Sequence, residues 1–401
     1  MVARSASLLR QYGIVTCNYW AFTLTDGALR MLVVLYFYGL GYSPLALALL
    51  FVFYEVFGVI TNLVGGWLGA RFGLNRTMNT GLALQILALC MLLAPADWLS
   101  VTWVMAAQAL SGIAKDLNKM SAKSAIKMLV PSGADAQLYR WVALLTGSKN
   151  ALKGVGFFLG GMLLAALGFQ GAVVSMAIAL TVVWVLSILL LKQDLGKASG
   201  VRKFTDVFSK SPAINRLSAA RMFLFGARDV WFVVALPVFL SQQLQWGYSW
   251  VSGFLACWVI GYGIVQSQAP RVARFDGDAG SAWQWALALS VLPALMAVAL
   301  FLDWQVQTVL VGGLILFGVL FALNSALHSY LIVSYADADG VSLDIGFYYM
   351  ANAMGRLLGT VLSGWLYQTS GLVLCLAVSA AMVVIAAVVS QRLPAPSHSV
   401  T

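Results

Sequence analysis

The sequence has few charged residues for its length. Of its 401 residues, 9% are charged and 61% are hydrophobic. An ordinary soluble domain is about 25% charged, so this chain cannot cover a water-facing surface. Lipid is then the remaining solvent, and a backbone in lipid must satisfy its own hydrogen bonds. Only spanning helices or a closed β-barrel meet that requirement.

Residues that bind metals or catalyse reactions are also scarce. The chain has one glutamate, Glu55, and two histidines, His328 and His398. Its four cysteines are far apart in apolar segments: Cys17, Cys90, Cys257 and Cys375. No Cys/His spacing fits a metal site, so we expect no metal and no cofactor. The loops hold no cluster of His, Asp and Glu, which argues against a polytopic membrane enzyme.

The apolar runs are continuous and about twenty residues long, which is the length a helix needs to cross a bilayer. Barrel strands would instead alternate apolar and polar residues over about ten positions. The sequence therefore predicts an all-α, polytopic membrane protein with twelve transmembrane helices, the first of them a retained span. The predicted spans are 13–39, 43–69, 77–95, 100–124, 137–166, 170–191, 214–242, 248–269, 282–302, 306–334, 341–367 and 371–391.

Lysine and arginine are confined to alternate loops. The loops near residues 41, 97, 169, 245, 303 and 369 contain neither residue, whereas most of the intervening loops are basic. By the positive-inside rule, both termini are cytoplasmic, and we expect a multi-pass protein of the bacterial inner membrane. The acidic loop with Asp337 and Asp339 departs from this pattern. The net charge of +10 forms no separate basic arm, so we expect no nucleic-acid partner.

The chain divides into two halves of six spans. The longest connection, 192–213, carries five basic residues and predicts a cytoplasmic linker between an N-terminal half, 1–191, and a C-terminal half, 214–401, with a short cytoplasmic tail. The halves also resemble each other weakly: span one reads GALRMLVVL from Gly27, and span seven reads GARDVWFVV from Gly226. Transporters built from such repeats place the substrate near the midplane between them.

The loop after span two is glycine-rich and basic. It reads GGWLGARFGLNR at 65–76, and it resembles the loop-two signature of the major facilitator superfamily (Gly-x-Leu-Ala-Asp-Arg-x-Gly-Arg). Ala70 stands where that signature has its acidic residue. Span five, with GVG at 154–156 and Gly160-Gly161, resembles the glycine-rich fifth helix of the superfamily's exporters. This resemblance implies the major facilitator fold and transport by alternating access.

Five segments with charges inside apolar spans carry a finer resemblance. They read NYWAFTLTDGALR at 18–30, GIAKDLNKMSAKSAIK at 112–127, GSKNALKGVGFFLGG at 147–161, FGARDVWF at 225–232 and NAMGRLLG at 352–359. Over nearly its whole length the chain resembles the ArsJ-type organoarsenical efflux permeases. That resemblance implies export of 1-arseno-3-phosphoglycerate, arsenate resistance, and a functional link to the glyceraldehyde-3-phosphate dehydrogenase that makes this ester. We expect a monomer in the lipid bilayer with a small anionic substrate.

The predicted spans contain more basic than acidic residues. Charges at this depth are costly unless they pair or line a watery cavity. In the superfamily, helices one, four, seven and ten line the cavity, and guanidinium and ammonium groups suit phosphate and carboxylate. The predicted substrate-binding cations are Arg30, Lys115, Lys119, Lys149, Lys153, Arg228 and Arg356. The acids predicted for coupling or charge pairing are Asp26, Glu55, Asp116, Asp229 and Asp344. A further buried cation, Arg221, is outside the predicted site.

Helix geometry refines these expectations. Lys115, Lys119, Lys123 and Lys127 recur every four residues, so they form one basic ridge on span four. We expect Lys115 and Lys119 to line the cavity, and Lys123 and Lys127 to extend to the cytoplasmic interface.

Spacing within a helix also suggests which charges can pair. Asp26 and Arg30 are spaced for an ion pair within one helix. Arg228 and Asp229 point about 100° apart on a helix, so we expect different partners for them. Arg356 is too far from Asp344 for direct contact. Glu55 is either an ion-pair partner or a proton carrier.

Two alternatives remain open at this point. One is a major facilitator transporter for another organophosphate or organic anion, and the other, of a different class, is the membrane enzyme already disfavoured. The direction of transport and the coupling ion are not fixed by the residues, although export by an antiporter follows from the resemblance.

Overall fold

The computed structural model describes residues 2–41, 52–131, 133–191, 211–246, 248–272, 281–337 and 341–394. Over these residues the chain is helical, and no strand occurs among them. Most of the predicted linker at 192–213, and the start of the second predicted span, lie outside the described residues. The predicted division into halves at 192–213 therefore stays a prediction.

Twelve helical segments follow one another in the described part of the chain. The first six are α1 (Val2–Gly39), α2 (Val52–Phe72), α3 (Leu74–Met91), α4 (Val101–Leu129), and α5 and α6, the two arms, 135–167 and 169–190, of the helix Asp135–Leu190. The others are α7 (Pro212–Phe232), α8 (Tyr248–Val272), α9 (Ala282–Phe301), α10 (Val306–Tyr335), and α11 and α12, the arms 341–370 and 372–390 of the helix Val341–Ser390. A short helix, Ala235–Gln242, extends α7, and a 3₁₀ turn, Ala96–Trp98, follows α3.

Single glycines separate α5 from α6 and α11 from α12. Gly168 has φ 67° and Gly371 has φ 70°, in the left-handed region that a side chain disfavours. Each glycine therefore turns the chain without a loop. Counted this way, the described segments agree with the twelve predicted spans.

The structure confirms an all-α membrane fold. Six of the helices in the described ranges are long and apolar enough to cross a membrane by length and composition, and the helices Asp135–Leu190 and Val341–Ser390 are among them. Many large apolar side chains on these helices are exposed, such as Met162, Ile178 and Val361. An apolar exterior of this kind suits lipid and not water.

The chain forms two compact units. The first comprises Met1–Pro131, Ser148–Phe208 and Ala336–Met350, and the second comprises Ser132–Gly147, Ser209–Tyr335 and Ala351–Thr401. The start of α5 thus packs within the second unit, and the start of α11 packs within the first.

Glycines bring α1 and α5 together in the first unit. A Cβ atom on Gly27 would lie 2.8 Å from the backbone oxygen of Lys153, and one on Gly156 would lie 2.6 Å from that of Leu24. A Cβ on Gly160 would overlap the backbone oxygen of Ala28. Small residues at such positions let two helix backbones approach closely. The contact fixes the charged residues of both helices relative to each other.

The second unit repeats this contact between α7 and α11. A Cβ atom on Gly226 would lie 3.1 Å from the backbone oxygen of Gly355, and a Cβ on Gly359 would lie 2.6 Å from the backbone oxygen of Gly226. A Cβ on Gly355 would overlap the backbone oxygen of Met222. The glycines have the same spacing in both halves of the sequence. The weak repeat seen in spans one and seven therefore corresponds to one helix-packing arrangement used twice.

The glycine-rich end of α2 packs against the start of α11, also within the first unit. Ser342 donates a 2.7 Å hydrogen bond from Oγ to the backbone oxygen of Gly66. Ala70, which replaces the acidic residue of the loop-two signature, is buried and clusters with Leu343 and Trp67. An apolar contact thus occupies the position where the signature would place a charge.

Candidate functional site

Tyr54 lies at the centre of a charged cluster where α1, α2 and α4 meet. Its hydroxyl donates to Asp26, at 2.8 Å from Oδ1 and 3.1 Å from Oδ2. The ring centroid is 4.0 Å from Arg30 Cζ and 3.7 Å from Lys115 Nζ. Arg30 Nη2 is 3.2 Å from Oε1 of Glu55. We call these five residues the Tyr54 cluster.

The ion pairs of this cluster differ from the expected arrangement. The spacing in α1 favoured a pair between Asp26 and Arg30. In the structure Arg30 forms an ion pair with Glu55 of α2, and Asp26 accepts from Tyr54. Glu55 therefore takes the first of its two expected roles, partner of a buried cation, in this conformation.

The basic ridge of α4 shares one carboxylate. Asp116 is 2% exposed; its Oδ1 lies 2.5 Å from Lys119 Nζ, and its Oδ2 lies 3.9 Å from Lys115 Nζ. Gly58 of α2 lets Asp116 approach, because a Cβ there would lie 2.9 Å from Oδ2. Two ammonium groups around one carboxylate leave a net positive charge.

Lys123 corrects one expectation. It was predicted to extend to the cytoplasmic interface, but it is 2% exposed. Its Nζ is 5.0 Å from the ring centroid of Tyr349, and Lys119 Nζ is 4.5 Å from the same centroid. The aromatic face comes from the start of α11, which the spacing in α4 cannot reveal. Cation–π contact offsets part of the desolvation of a buried ammonium group.

The two predicted lysines of α5 are half-buried. Lys149 and Lys153 lie in the stretch of α5 that packs on α1, next to Ser148, which accepts a 2.7 Å hydrogen bond from Trp20 Nε1. Lys153 Nζ is 6.0 Å from the ring centroid of Phe157. The structure thus places both lysines in the first unit, with the Tyr54 cluster and the α4 ridge.

Asp229 organises the predicted charges of the second unit. It is buried, and its Oδ1 lies 2.5 Å from Arg228 Nη2. Its Oδ2 lies 3.3 Å from Nε of Arg356 on α11. We expected Arg228 and Asp229 to have different partners, and the structure adds an ion pair between the two residues themselves, because the arginine side chain is long enough to reach its neighbour. Two arginines on one carboxylate again leave a net positive charge.

Arg221 is a buried cation that the predicted site omitted. It is 3% exposed, and it donates to Asn352 Oδ1 at 3.0 Å and to Ser325 Oγ at 3.1 Å. Its Cζ lies 3.8 Å from the ring centroid of Phe225, which Arg228 also approaches at 5.0 Å. The seven-residue spacing of Arg221 and Arg228 places both on one face of α7 and is the signal that could have included it.

Asp344 lies at the beginning of α11. It is half-buried in the first turn of α11, and its Oδ2 accepts a 3.2 Å hydrogen bond from the backbone N–H of Asp337. The helix dipole stabilises a carboxylate in the first turn of a helix, so this position gives Asp344 a structural role.

The metal and cysteine expectations can be compared with the described residues alone. Among these, no group of His, Cys, Asp and Glu is arranged to hold a metal ion. Cys17, Cys90 and Cys257 are exposed and Cys375 is buried, all as free thiols.

Solved structures show which fold this arrangement belongs to. The human organic anion transporter MFSD10 (TETRAN) aligns with 96% of this chain and 99% of its own, at 15% identity and a TM-score of 0.77. The proton:xylose symporter XylE aligns over 98% of both chains, at 12% identity and a TM-score of 0.76. A bacterial homologue of the iron transporter ferroportin, in an outward-facing state, aligns with 95% of this chain and 98% of its own, at 15% identity and a TM-score of 0.75. At these identities the likeness concerns the fold alone.

A search of curated protein sequences finds no match to the chain. A family model, that of the Major Facilitator Superfamily, does match, over residues 14–275. Because that match covers more than half of the sequence, the chain belongs to the Major Facilitator Superfamily.

Proposed function

We propose that this transporter exports an organic anion that carries phosphate and arsenate groups, 1-arseno-3-phosphoglycerate, and thereby gives arsenate resistance. The observation that carries the proposal is the excess of buried or half-buried cations over acids. In the first unit, five predicted cations outnumber four predicted acids: Arg30, Lys115, Lys119, Lys149 and Lys153 against Asp26, Glu55, Asp116 and Asp344. In the second unit, two arginines share Asp229.

The charge pattern supports an anionic substrate. Buried cations in excess of their acids are stabilised when an anion binds, and guanidinium groups hold phosphate through paired hydrogen bonds. The substrate-binding set is Arg30, Lys115, Lys119, Lys149, Lys153, Arg228 and Arg356. The acids Asp26, Glu55, Asp116, Asp229 and Asp344 would serve charge pairing or coupling, and a substrate entering the site would compete with them for the cations.

The ArsJ-type resemblance supports the identity of the substrate and the direction of transport. On this proposal the protein lies in the bacterial inner membrane with both termini in the cytoplasm, acts as a monomer and an antiporter, and depends on glyceraldehyde-3-phosphate dehydrogenase for its substrate. The likeness to an organic anion transporter concerns the fold, but it agrees with an anionic cargo.

The test uses everted membrane vesicles, in which export appears as uptake. Vesicles containing the transporter receive radiolabelled arsenate, glyceraldehyde-3-phosphate, NAD and purified dehydrogenase. We expect arsenic to accumulate with the complete mixture and not when any component is omitted. Accumulation of arsenate without the dehydrogenase would contradict the proposal, as would cellular resistance to arsenite.

The same vesicles address the second candidate, a transporter for another organophosphate. Labelled 3-phosphoglycerate is supplied without arsenate. Uptake of 3-phosphoglycerate together with no uptake from the arsenate mixture would favour this alternative, because the cation set suits any phosphorylated carboxylate.

A further inference from the structure

Tyr54 contacts three of the charged residues in the proposed anion site. It is 1% exposed, and it is the aromatic residue around which Asp26, Arg30 and Lys115 are placed. Its backbone is held by α4, because a Cβ on Gly112 would lie 2.7 Å from the Tyr54 oxygen. A buried side chain with this many charged neighbours is in a position to control which of them pair.

We propose that Tyr54 is a positioning residue of the anion site, a role that rests on the proposed function. Its ring holds Arg30 and Lys115 in place, and its hydroxyl directs Asp26 away from Arg30. Tyr54 itself does not bind the substrate in this proposal.

The ring supports two cations inside the helix bundle. Arg30 and Lys115 each also have one carboxylate nearby, Glu55 Oε1 at 3.2 Å and Asp116 Oδ2 at 3.9 Å. The face of an aromatic ring attracts both cations without adding a further negative charge. With Arg30 Cζ at 4.0 Å and Lys115 Nζ at 3.7 Å from the centroid, one residue supports both. A phosphate or carboxylate group could then draw on two charges from α1 and α4.

The hydroxyl decides how Asp26 is used. Asp26 and Arg30 are one turn apart on α1, a spacing that favours an ion pair between them. In the structure both carboxylate oxygens of Asp26 are instead within 3.1 Å of the Tyr54 hydroxyl. This hydrogen bond occupies Asp26, and Arg30 forms its ion pair with Glu55 instead.

The two roles are separable by substitution. Tyr54→Phe retains the ring but loses the hydroxyl, so Asp26 becomes available to pair with Arg30 and to weaken anion binding. Adding Asp26→Asn removes the competing charge and restores binding. Tyr54→Leu removes the ring as well, and Asp26→Asn does not correct that loss.

The experiment measures binding of 3-phosphoglycerate to the purified full-length protein in detergent by titration calorimetry, with melting temperature recorded for every variant. We expect Tyr54→Phe to raise Kd about tenfold, the effect of weakening one charged contact. Tyr54→Phe with Asp26→Asn should return to within about threefold of wild type. Tyr36→Phe is the matched control, because its ring stacks on Phe169 at 4.1 Å, and it should bind as wild type does.

The outcomes separate the two proposals. Wild-type protein that binds no 3-phosphoglycerate would overturn the anion role of Tyr54, whereas the vesicle assay with the arsenate mixture decides the proposed function separately. Wild-type binding with no loss in Tyr54→Phe, or a loss that Asp26→Asn does not restore, would overturn the role of Tyr54 alone. If Tyr54→Leu fails to fold, the comparison of Tyr54→Phe with the double variant Tyr54→Phe, Asp26→Asn still tests the role of the Tyr54 hydroxyl.

Discussion

Arg228 and Asp229, neighbours in the sequence, form an ion pair with 2.5 Å between Arg228 Nη2 and Asp229 Oδ1. Asp229 also pairs with Arg356 of α11, so one carboxylate joins two helices of the second unit. An anion that binds the two guanidinium groups must compete with Asp229 for them. This competition gives a simple way to link substrate binding to the packing of α7 on α11.

The first prediction concerns Arg30 and Arg228, one arginine from the first helix of each half. Lysine keeps the charge but loses the two-pronged donor geometry that suits phosphate. We expect the double variant Arg30→Lys, Arg228→Lys to export about tenfold more slowly, which corresponds to about 1.4 kcal/mol. Transport in everted vesicles is measured at equal protein level.

Arg216→Lys is the control for this variant. Arg216 is also on α7, but it is exposed and donates to the backbone oxygen of Arg392. We expect it to transport normally. Wild-type rates in the double variant would make both arginines structural, and Lys115, Lys119, Lys149 and Lys153 would remain as the anion site.

The second prediction concerns stability. Asp229→Asn leaves Arg228 and Arg356 without their shared negative charge in a buried position. Breaking a buried ion pair from one side costs about 3–5 kcal/mol, so we expect a clear fall in melting temperature in detergent. Asp303→Asn, at an exposed position, should melt as wild type does. Equal melting of the two variants would show that Asp229 does not stabilise α7 on α11.

The third prediction uses two adjacent glycines of α5. A Cβ on Gly160 would overlap the backbone oxygen of Ala28, whereas one on Gly161 would meet only Leu35 Cδ1 at 3.6 Å. Overpacking costs about 1–3 kcal/mol, so Gly160→Ala should lower the melting temperature and Gly161→Ala should not. The opposite order would mean that α1 and α5 are packed in another register.

The fourth prediction is the membrane orientation. In a background with the native cysteines replaced, Gly200→Cys should react with an impermeant maleimide only after the membrane is opened. Asp303→Cys should react from outside, since its loop contains no Lys or Arg. Labelling of residue 200 in intact cells would show that the membrane orientation is the opposite of the predicted one.

The sequence allowed most of the fold to be predicted. Apolar runs of bilayer length located the spans, because lipid demands continuous helices. The sequence placed loops near residues 169 and 369, and the structure turns the chain there at single glycines, Gly168 and Gly371.

Side-chain pairing could be predicted only in part. The helical spacing placed Lys115 and Lys119 together, and the structure adds Asp116 between them. The Arg228–Asp229 ion pair was missed, because the angle between successive residues on a helix does not account for the length of the arginine side chain. Tyr54 and Tyr349 were missed because an aromatic residue in an apolar span looks like ordinary core until the helices that face it are known.

The repeated glycine contact bears on how the chain arose. Gly27, Gly156 and Gly160 correspond in register to Gly226, Gly355 and Gly359, and the same register pairs Arg30 with Asp229, a cation with an acid. A duplicated ancestral half would thus have kept the backbone contact while its charges diverged. In evolutionary comparisons of such transporters, the glycines should then trace common descent, and the charges should trace changes of cargo.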